Sequence, residues 1–168
     1  MPGETMTPLQ MLERLVAFDT TSSGSNLELI DYVSSYLSGH GVEARLSHDE
    51  AGAKANLLAA IGPRAPGGVV LSGHTDVVPT AGQAWESDPF TLTERDGRLY
   101  GRGTADMKGF LAVALALVPE MLARELKVPI YLALSFDEEV GCLGVPHMIR
   151  QLEAELPKPG LAIVGEPT

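Results

Sequence analysis

Two continuous apolar runs, Gly67 to Ser72 and Pro129 to Phe136, constrain most strongly what this chain can fold into. Neither alternates apolar with polar residues, so neither suits a strand with one face in water. Runs of this length suit strands buried on both faces, as in a partly parallel sheet covered by helices. Between them, Met107 to Val118 places Phe110, Leu111, Ala114, Leu115 and Val118 at helical spacing, and Pro119 kinks or ends that helix.

The remaining pattern fits the same architecture. Thr7-Pro8-Leu9-Gln10 reads as a capping box with proline at the first helical position, and Leu9, Leu12, Leu15 and Val16 form the apolar stripe of a first helix ending near Phe18. Ser25-Asn26-Leu27-Glu28 reads as a second capping box. The helix it opens is apolar at Leu27, Ile30, Val33 and Leu37, and Gly39 or Gly41 can end it. Val42 to Leu46, Asn56 to Ile61 and Leu161 to Val164 read as further strands, and Val145 to Leu156 as an amphipathic helix. Arg95-Asp96-Gly97 reads as the turn of a hairpin between Phe90 to Thr93 and Arg98 to Tyr100. Helices alternating with buried strands indicate an α/β fold with helices on both faces of the sheet.

Composition excludes several classes of function. A formal net charge of -10 argues against nucleic acid and anionic membranes as partners. The single cysteine, Cys142, permits no internal disulfide and points to a reducing, cytoplasmic setting. Met1 to Leu12 lacks the basic start and apolar run of a signal peptide, and no stretch reads as a membrane span.

Four short patches carry the chemistry: Gly73-His74-Thr75-Asp76, Gly101-Arg102-Gly103-Thr104-Ala105-Asp106, Asp137-Glu138-Glu139 and Gly165-Glu166-Pro167-Thr168. Each lies at the carboxyl end of an expected strand or at the start of the following helix, where open α/β sheets gather ligands. One imidazole and several carboxylates brought together there suit a divalent cation, because unpaired charges are costly to bury. On this reading His74 is a ligand and Asp76 orients its ring, since metal-binding histidines usually donate their other N–H. Asp106 can bridge two cations with its two oxygens. Glu138 and Glu139 are adjacent, so their side chains diverge: Glu139 is read as a ligand and Glu138 as a general base. Glu166 is a further ligand. Each residue also has a plainer role open to it. His74 can be satisfied by Asp76, Asp106 can cap the long helix, Glu138 and Glu139 can form a solvated turn, and Glu166 can be a surface glutamate. Cys142 reads as a small packing residue, because no cation lies near it in sequence to activate a thiol.

Ser72 to Pro79, Tyr100 to Gly109, Asp137 to Gly141 and Val164 to Thr168 occur in this order in a known family, which the chain resembles from about Thr7 onward. It comprises dinuclear zinc or cobalt aminoacylases, deacetylases and carboxypeptidases. The resemblance implies a zinc-exopeptidase-like domain, a three-layer sandwich with a mixed, mostly parallel sheet. It implies two zinc or cobalt ions, with Asp106 bridging, His74 and Glu166 completing the first site, Glu139 in the second, Glu138 as base and Asp76 supporting His74. It also implies a cis peptide after Asp106. Ser135 to Gly144, with Gly82-Gln83-Ala84-Trp85, is most similar to members that remove the acetyl group from N2-acetylornithine, giving ornithine and acetate in arginine biosynthesis. Succinyl-diaminopimelate or a dipeptide is the neighbouring substrate reading, and a non-catalytic fragment is the rival from another class. Members of the family are longer and homodimeric, with an inserted lid and dimerisation domain and a returning segment that brings a second histidine. The expectation is therefore that residues 1–168 form the N-terminal part of the catalytic domain. By themselves they would bind one ion and be inactive, with a sheet edge or apolar face exposed.

Overall fold

The computed structural model describes residues 5–167; Met1 to Glu4 of the N-terminal stretch and Thr168 of the last patch lie outside them. The order of elements is α1 (Pro8–Val16), α2 (Leu27–Gly39), β1 (Ala44–His48), β2 (Ala55–Ile61), β3 (Val69–His74), β4 (Thr93–Arg95), β5 (Arg98–Tyr100), α3 (Lys108–Ala116), α4 (Val118–Leu122), β6 (Ile130–Ser135), α5 (Val145–Glu155) and β7 (Leu161–Val164).

Five strands form one sheet in the order β1-β2-β6-β3-β7. β3 pairs in parallel with β6 and with β7, whereas β2 is antiparallel to both β1 and β6. Four strands therefore run one way and β2 alone runs against them, which makes the sheet mixed and mostly parallel. β4 and β5 form a separate hairpin, whose turn residues Asp96 (φ 54°) and Gly97 (φ 70°) adopt the left-handed conformation that two-residue hairpin turns require.

Alternation along the strands assigns each side chain to a face. Leu57 and Ala59 of β2 and Leu132 and Leu134 of β6 point to the layer formed by α1, α2 and α3, where they meet Met11, Leu15, Leu29, Ile30, Leu37, Leu111 and Leu115. Leu58, Tyr131 and Ala133 point the other way, onto Met148 and Leu156 beside α5. Fully burying one leucine of this core is worth roughly 1.5–3 kcal/mol. The second layer is thinner. Along β3 and β7 it leaves an apolar groove of about 620 Å³ lined by Val70, Met148, Ile149, Leu152, Ala162 and Val164. Burial on both faces, expected of both long apolar runs, holds for β6. It does not hold for β3: Leu71 is only half-buried on the α1–α3 side, and Ser72 is half-buried on the other face, where α5 packs over β2, β1 and β6 instead. The edge strand β7 is exposed throughout.

Local signals were realised unevenly. The Thr7–Gln10 capping box forms in both directions. The second box does not: Asn26 is the cap residue of α2 and caps nothing with its side chain, while Ser25 Oγ accepts from the Leu27 amide and donates to the Ala53 carbonyl. Asn26 is instead drawn into the interior, where it bonds Ala55 and Thr75 Oγ1. Pro119 ends α3, and α4 starts afresh with proline in its first turn. Among the described residues no helix is long and apolar enough to cross a membrane.

Candidate metal centre

β3 runs straight into the site. Its last residues are Gly73 and His74, and α3 packs so closely that a Cβ on Gly73 would lie 2.7 Å from Met107 Cε and 2.8 Å from Leu111 Cδ2. Glycine is what lets the start of α3, and with it Asp106, approach the end of β3. Beyond His74 the chain is tied to the end of β6, where the Thr75 amide and hydroxyl both donate to the Ser135 carbonyl at 2.9 Å. Asp106 arrives from the turn Gly101–Asp106, in which Gly103 (φ 83°) sits against Val77 and Lys108. The Asp106–Met107 peptide is cis.

The His74 ring is 1% exposed. Its Nδ1 lies 2.8 Å from the Asp76 main-chain carbonyl, which can only accept, so the proton sits on Nδ1. Its Nε2 then faces three carboxylates, at 3.0 Å from Asp106 Oδ1, 3.6 Å from Glu166 Oε1 and 3.9 Å from Glu138 Oε2. Two sets of three, His74 with Asp106 and Glu139, and His74 with Glu138 and Glu166, each place one ligand atom per residue within 4.8 Å of the others. Donors on opposite sides of a zinc ion, at about 2.0–2.2 Å each, lie at most about 4.4 Å apart, so small rotations fit the donors to an ion. Nitrogen and oxygen donors of this kind suit zinc.

Electrostatics point the same way. Burial works against a charge on His74, but Asp76 and Asp106 outweigh it and push the imidazole up to about 9. Burial raises the carboxyl pKa of Glu139 and of Glu166, and the charges of Asp106 and Glu138 add to both, while His74 pulls both the other way. The crowd of like charges is thus held at an energetic cost that a cation would relieve.

All six residues singled out in the sequence therefore meet. Asp106 is not a helix cap: Met107 is the cap residue of α3, without a side-chain bond. Asp76 acts differently from expectation. Its main-chain carbonyl, not its carboxylate, makes the short contact with His74; the nearer carboxylate oxygen is 3.5 Å from Nδ1. That carboxylate instead accepts the amides of Glu138 (3.0 Å) and Glu139 (3.3 Å) and the Ser22 hydroxyl (2.7 Å). Burial pushes this carboxyl up, but the nearby His74 ring, followed by the Ser22 hydroxyl and the Glu138 amide, holds it below the usual carboxylate range. Cys142 is also corrected. It is exposed, and its Sγ lies 3.4 Å from Glu138 Oε1, a contact that raises the thiol's pKa. Ser22, Lys54 and Asp137 were not assigned roles from sequence. Lys54 Nζ bonds Asp137 Oδ1 at 2.5 Å and the Ser22 carbonyl at 2.6 Å, contacts between segments with no local signal linking them.

Comparison with known proteins matches residues 70–168 to the model of Peptidase family M20/M25/M40. An acetylornithine deacetylase of Photorhabdus laumondii is 41% identical over 153 residues, covering 90% of this chain and 39% of that protein. Its counterpart in Pasteurella multocida is 40% identical over 167 residues, covering 95% and 43%. The chain thus spans about two fifths of the length of the curated relatives it matches. Among solved structures, the M20 family metallo-carboxypeptidase Sso-CP2 of Sulfolobus solfataricus superposes with a TM-score of 0.82 at 25% identity, covering 95% of this chain and 37% of that one. With its sheet, its cation-ready cluster and these matches in agreement, the chain belongs to Peptidase family M20/M25/M40.

Proposed function

We propose that this chain carries the larger share of the active centre of a metal-dependent amidohydrolase, one that removes the acetyl group from N2-acetylornithine to give ornithine and acetate, within arginine biosynthesis. The observation that supports it is the convergence of three carboxylates on one imidazole nitrogen, within 3.0–3.9 Å, from the ends of β6 and β7 and from the turn before α3. The names of the relatives at 40–41% identity support the substrate.

In this reading His74, Asp106 and Glu166 would hold one zinc or cobalt ion, and Asp106 with Glu139 would serve a second. Bound ions supply polarisation of the scissile carbonyl and bring the pKa of water towards neutrality. Glu138 accepts the proton of the attacking water and passes it to the nitrogen of the leaving amine. Asp76 fixes the His74 tautomer with its carbonyl. With its carboxylate it holds the main chain of Glu138 and Glu139, so base and ligand keep their separation.

The test is ornithine release from N2-acetylornithine with added zinc or cobalt. It is run on this chain and on the Photorhabdus relative, each with and without the change corresponding to Glu138→Ala. Loss of about 10²–10⁴-fold in turnover is expected of a general base; an unaffected rate removes Glu138 from that role. The likeness to a carboxypeptidase supports a second reading, hydrolysis of a peptide. Running succinyl-diaminopimelate and a dipeptide beside N2-acetylornithine separates the two by which substrate is turned over.

A further inference from the structure

We propose that Lys54 is a positioning residue that holds the Glu138–Glu139 turn in register against Asp76, through its charge pair with Asp137. The proposal rests on the metal-centre reading above.

The reversed strand β2 is what makes the contact possible. Its register with β6 pairs Ile61 with Ile130 and Leu57 with Leu134, and continuing it in the same step brings Lys54, just before β2, opposite Asp137, just after β6. A cation thereby reaches the carboxyl end of β6 from a segment 83 residues away. The two side chains are 16% and 11% exposed, so water screens the pair little. Lys54 Nζ donates both to Asp137 Oδ1 at 2.5 Å and to the Ser22 carbonyl at 2.6 Å, while the Ser22 hydroxyl donates to Asp76 Oδ2 at 2.7 Å. Asp76 in turn accepts the amides of Glu138 and Glu139. The turn is gripped from both sides, by a carboxylate on its amides and by an ammonium on its first side chain. Asp137 takes φ 54°, a left-handed conformation that aspartate adopts more readily than most residues and that turns the chain here. Lys54 touches none of the residues proposed as ligands or base; it acts through Asp137 and Ser22.

The pair is tested with Lys54→Met/Asp137→Asn, which removes both charges and leaves the net charge unchanged, beside Lys54→Arg, which keeps the cation. Zinc affinity is measured by calorimetry, and amide hydrogen exchange is measured on the metal-free proteins. Zinc binding by the double variant is expected to weaken by about tenfold or more, as for other residues that orient ligands. Exchange at Glu138 and Glu139 is expected to accelerate while the amides of β6 keep their rates, and Lys54→Arg is expected to behave as wild type. Wild-type affinity and exchange in the double variant overturn the proposal. So does acceleration spread evenly over the sheet, because that marks a merely structural pair. If wild type itself binds no zinc, the metal-centre reading fails, and the exchange rates still decide the role of Lys54.

Discussion

Lys108 is a buried amine two residues beyond Asp106, and replacing it by methionine tests how the structure bears that charge. Its side chain is fully buried, and Nζ donates to the Phe18 carbonyl at 2.7 Å. Burial lowers its pKa to about 7, with Asp19 pulling weakly the other way. The unfolded chain holds the proton up to about 10.5, so between pH 7 and 10.5 the unfolded state binds more protons and stability rises with pH. At about 1.4 kcal/mol per unit, the cost of the native state is about 4 kcal/mol at pH 7 and about 2 kcal/mol at pH 9. Lys108→Met removes that cost and keeps most of the volume, but leaves the Phe18 carbonyl without its donor, a loss of about 1–3 kcal/mol. The variant is therefore expected to be more stable than wild type by about 2 kcal/mol at pH 7 and about equal to it at pH 9. Urea unfolding of both proteins at the two pH values, with chelator present, reads the difference. Taking the difference matters because His74, raised to about 9, has the opposite sign: its stabilisation is complete below pH 6.5 and is lost as pH rises through 9, in both proteins alike. A stability difference that stays constant from pH 7 to pH 9 refutes the reasoning.

Two further outcomes follow from the site. A cation needs the lone pair of His74 Nε2, so zinc or cobalt must displace a proton held up to about 9. Affinity is expected to rise about tenfold per pH unit from pH 6 to 8, with about one proton released per first ion. Calorimetry in buffers of different ionisation heat counts that proton, and a pH-independent affinity would count against His74 as a ligand. Gly73→Ala places a methyl 2.7 Å from Met107 Cε and 2.8 Å from Leu111 Cδ2. It is expected to cost about 1–3 kcal/mol of stability, read from the urea midpoint; an unchanged midpoint would show that α3 does not rest on that glycine.

What the sequence made legible was whatever depends on neighbours along the chain. Apolar runs located β3 and β6 to within two residues, Thr7 and Gln10 started the first helix, Asp96-Gly97 turned the hairpin, and Pro119 broke the long helix. The patches of the candidate site were legible for a related reason. A strand that ends in a charged residue delivers it to the edge of the sheet, and parallel strands deliver their ends to the same edge. Where local chemistry offered two equivalent outcomes, tertiary contacts decided. Ser25 and Glu28 can make a capping box, yet the nearby Ala53 carbonyl claims the Ser25 hydroxyl while the interior claims Asn26. Asp76 can reach His74 with its carboxylate or its carbonyl. The carboxylate is the only one of the two able to serve several amides and a hydroxyl at once, so the carbonyl is left for the ring.

Strand direction is the harder step, and it separates the candidate ligands from Lys54. The candidate ligands His74, Glu139 and Glu166 end or follow β3, β6 and β7, strands that point the same way, so their meeting requires only that those strands lie side by side, while Asp106 comes from the turn before α3. Lys54 stands at the beginning of a strand, and by the parallel rule alone it belongs at the opposite end of the sheet. Only the reversal of β2 carries it to Asp137, and nothing within Asn56 to Ile61 distinguishes a reversed strand from a forward one, because a run buried on both faces reads the same in either direction. Residues that reach the candidate site from an antiparallel neighbour are therefore the ones a reading of patterns will miss. The pairing register, once known, identifies them by simple counting from a single pair such as Leu57 and Leu134.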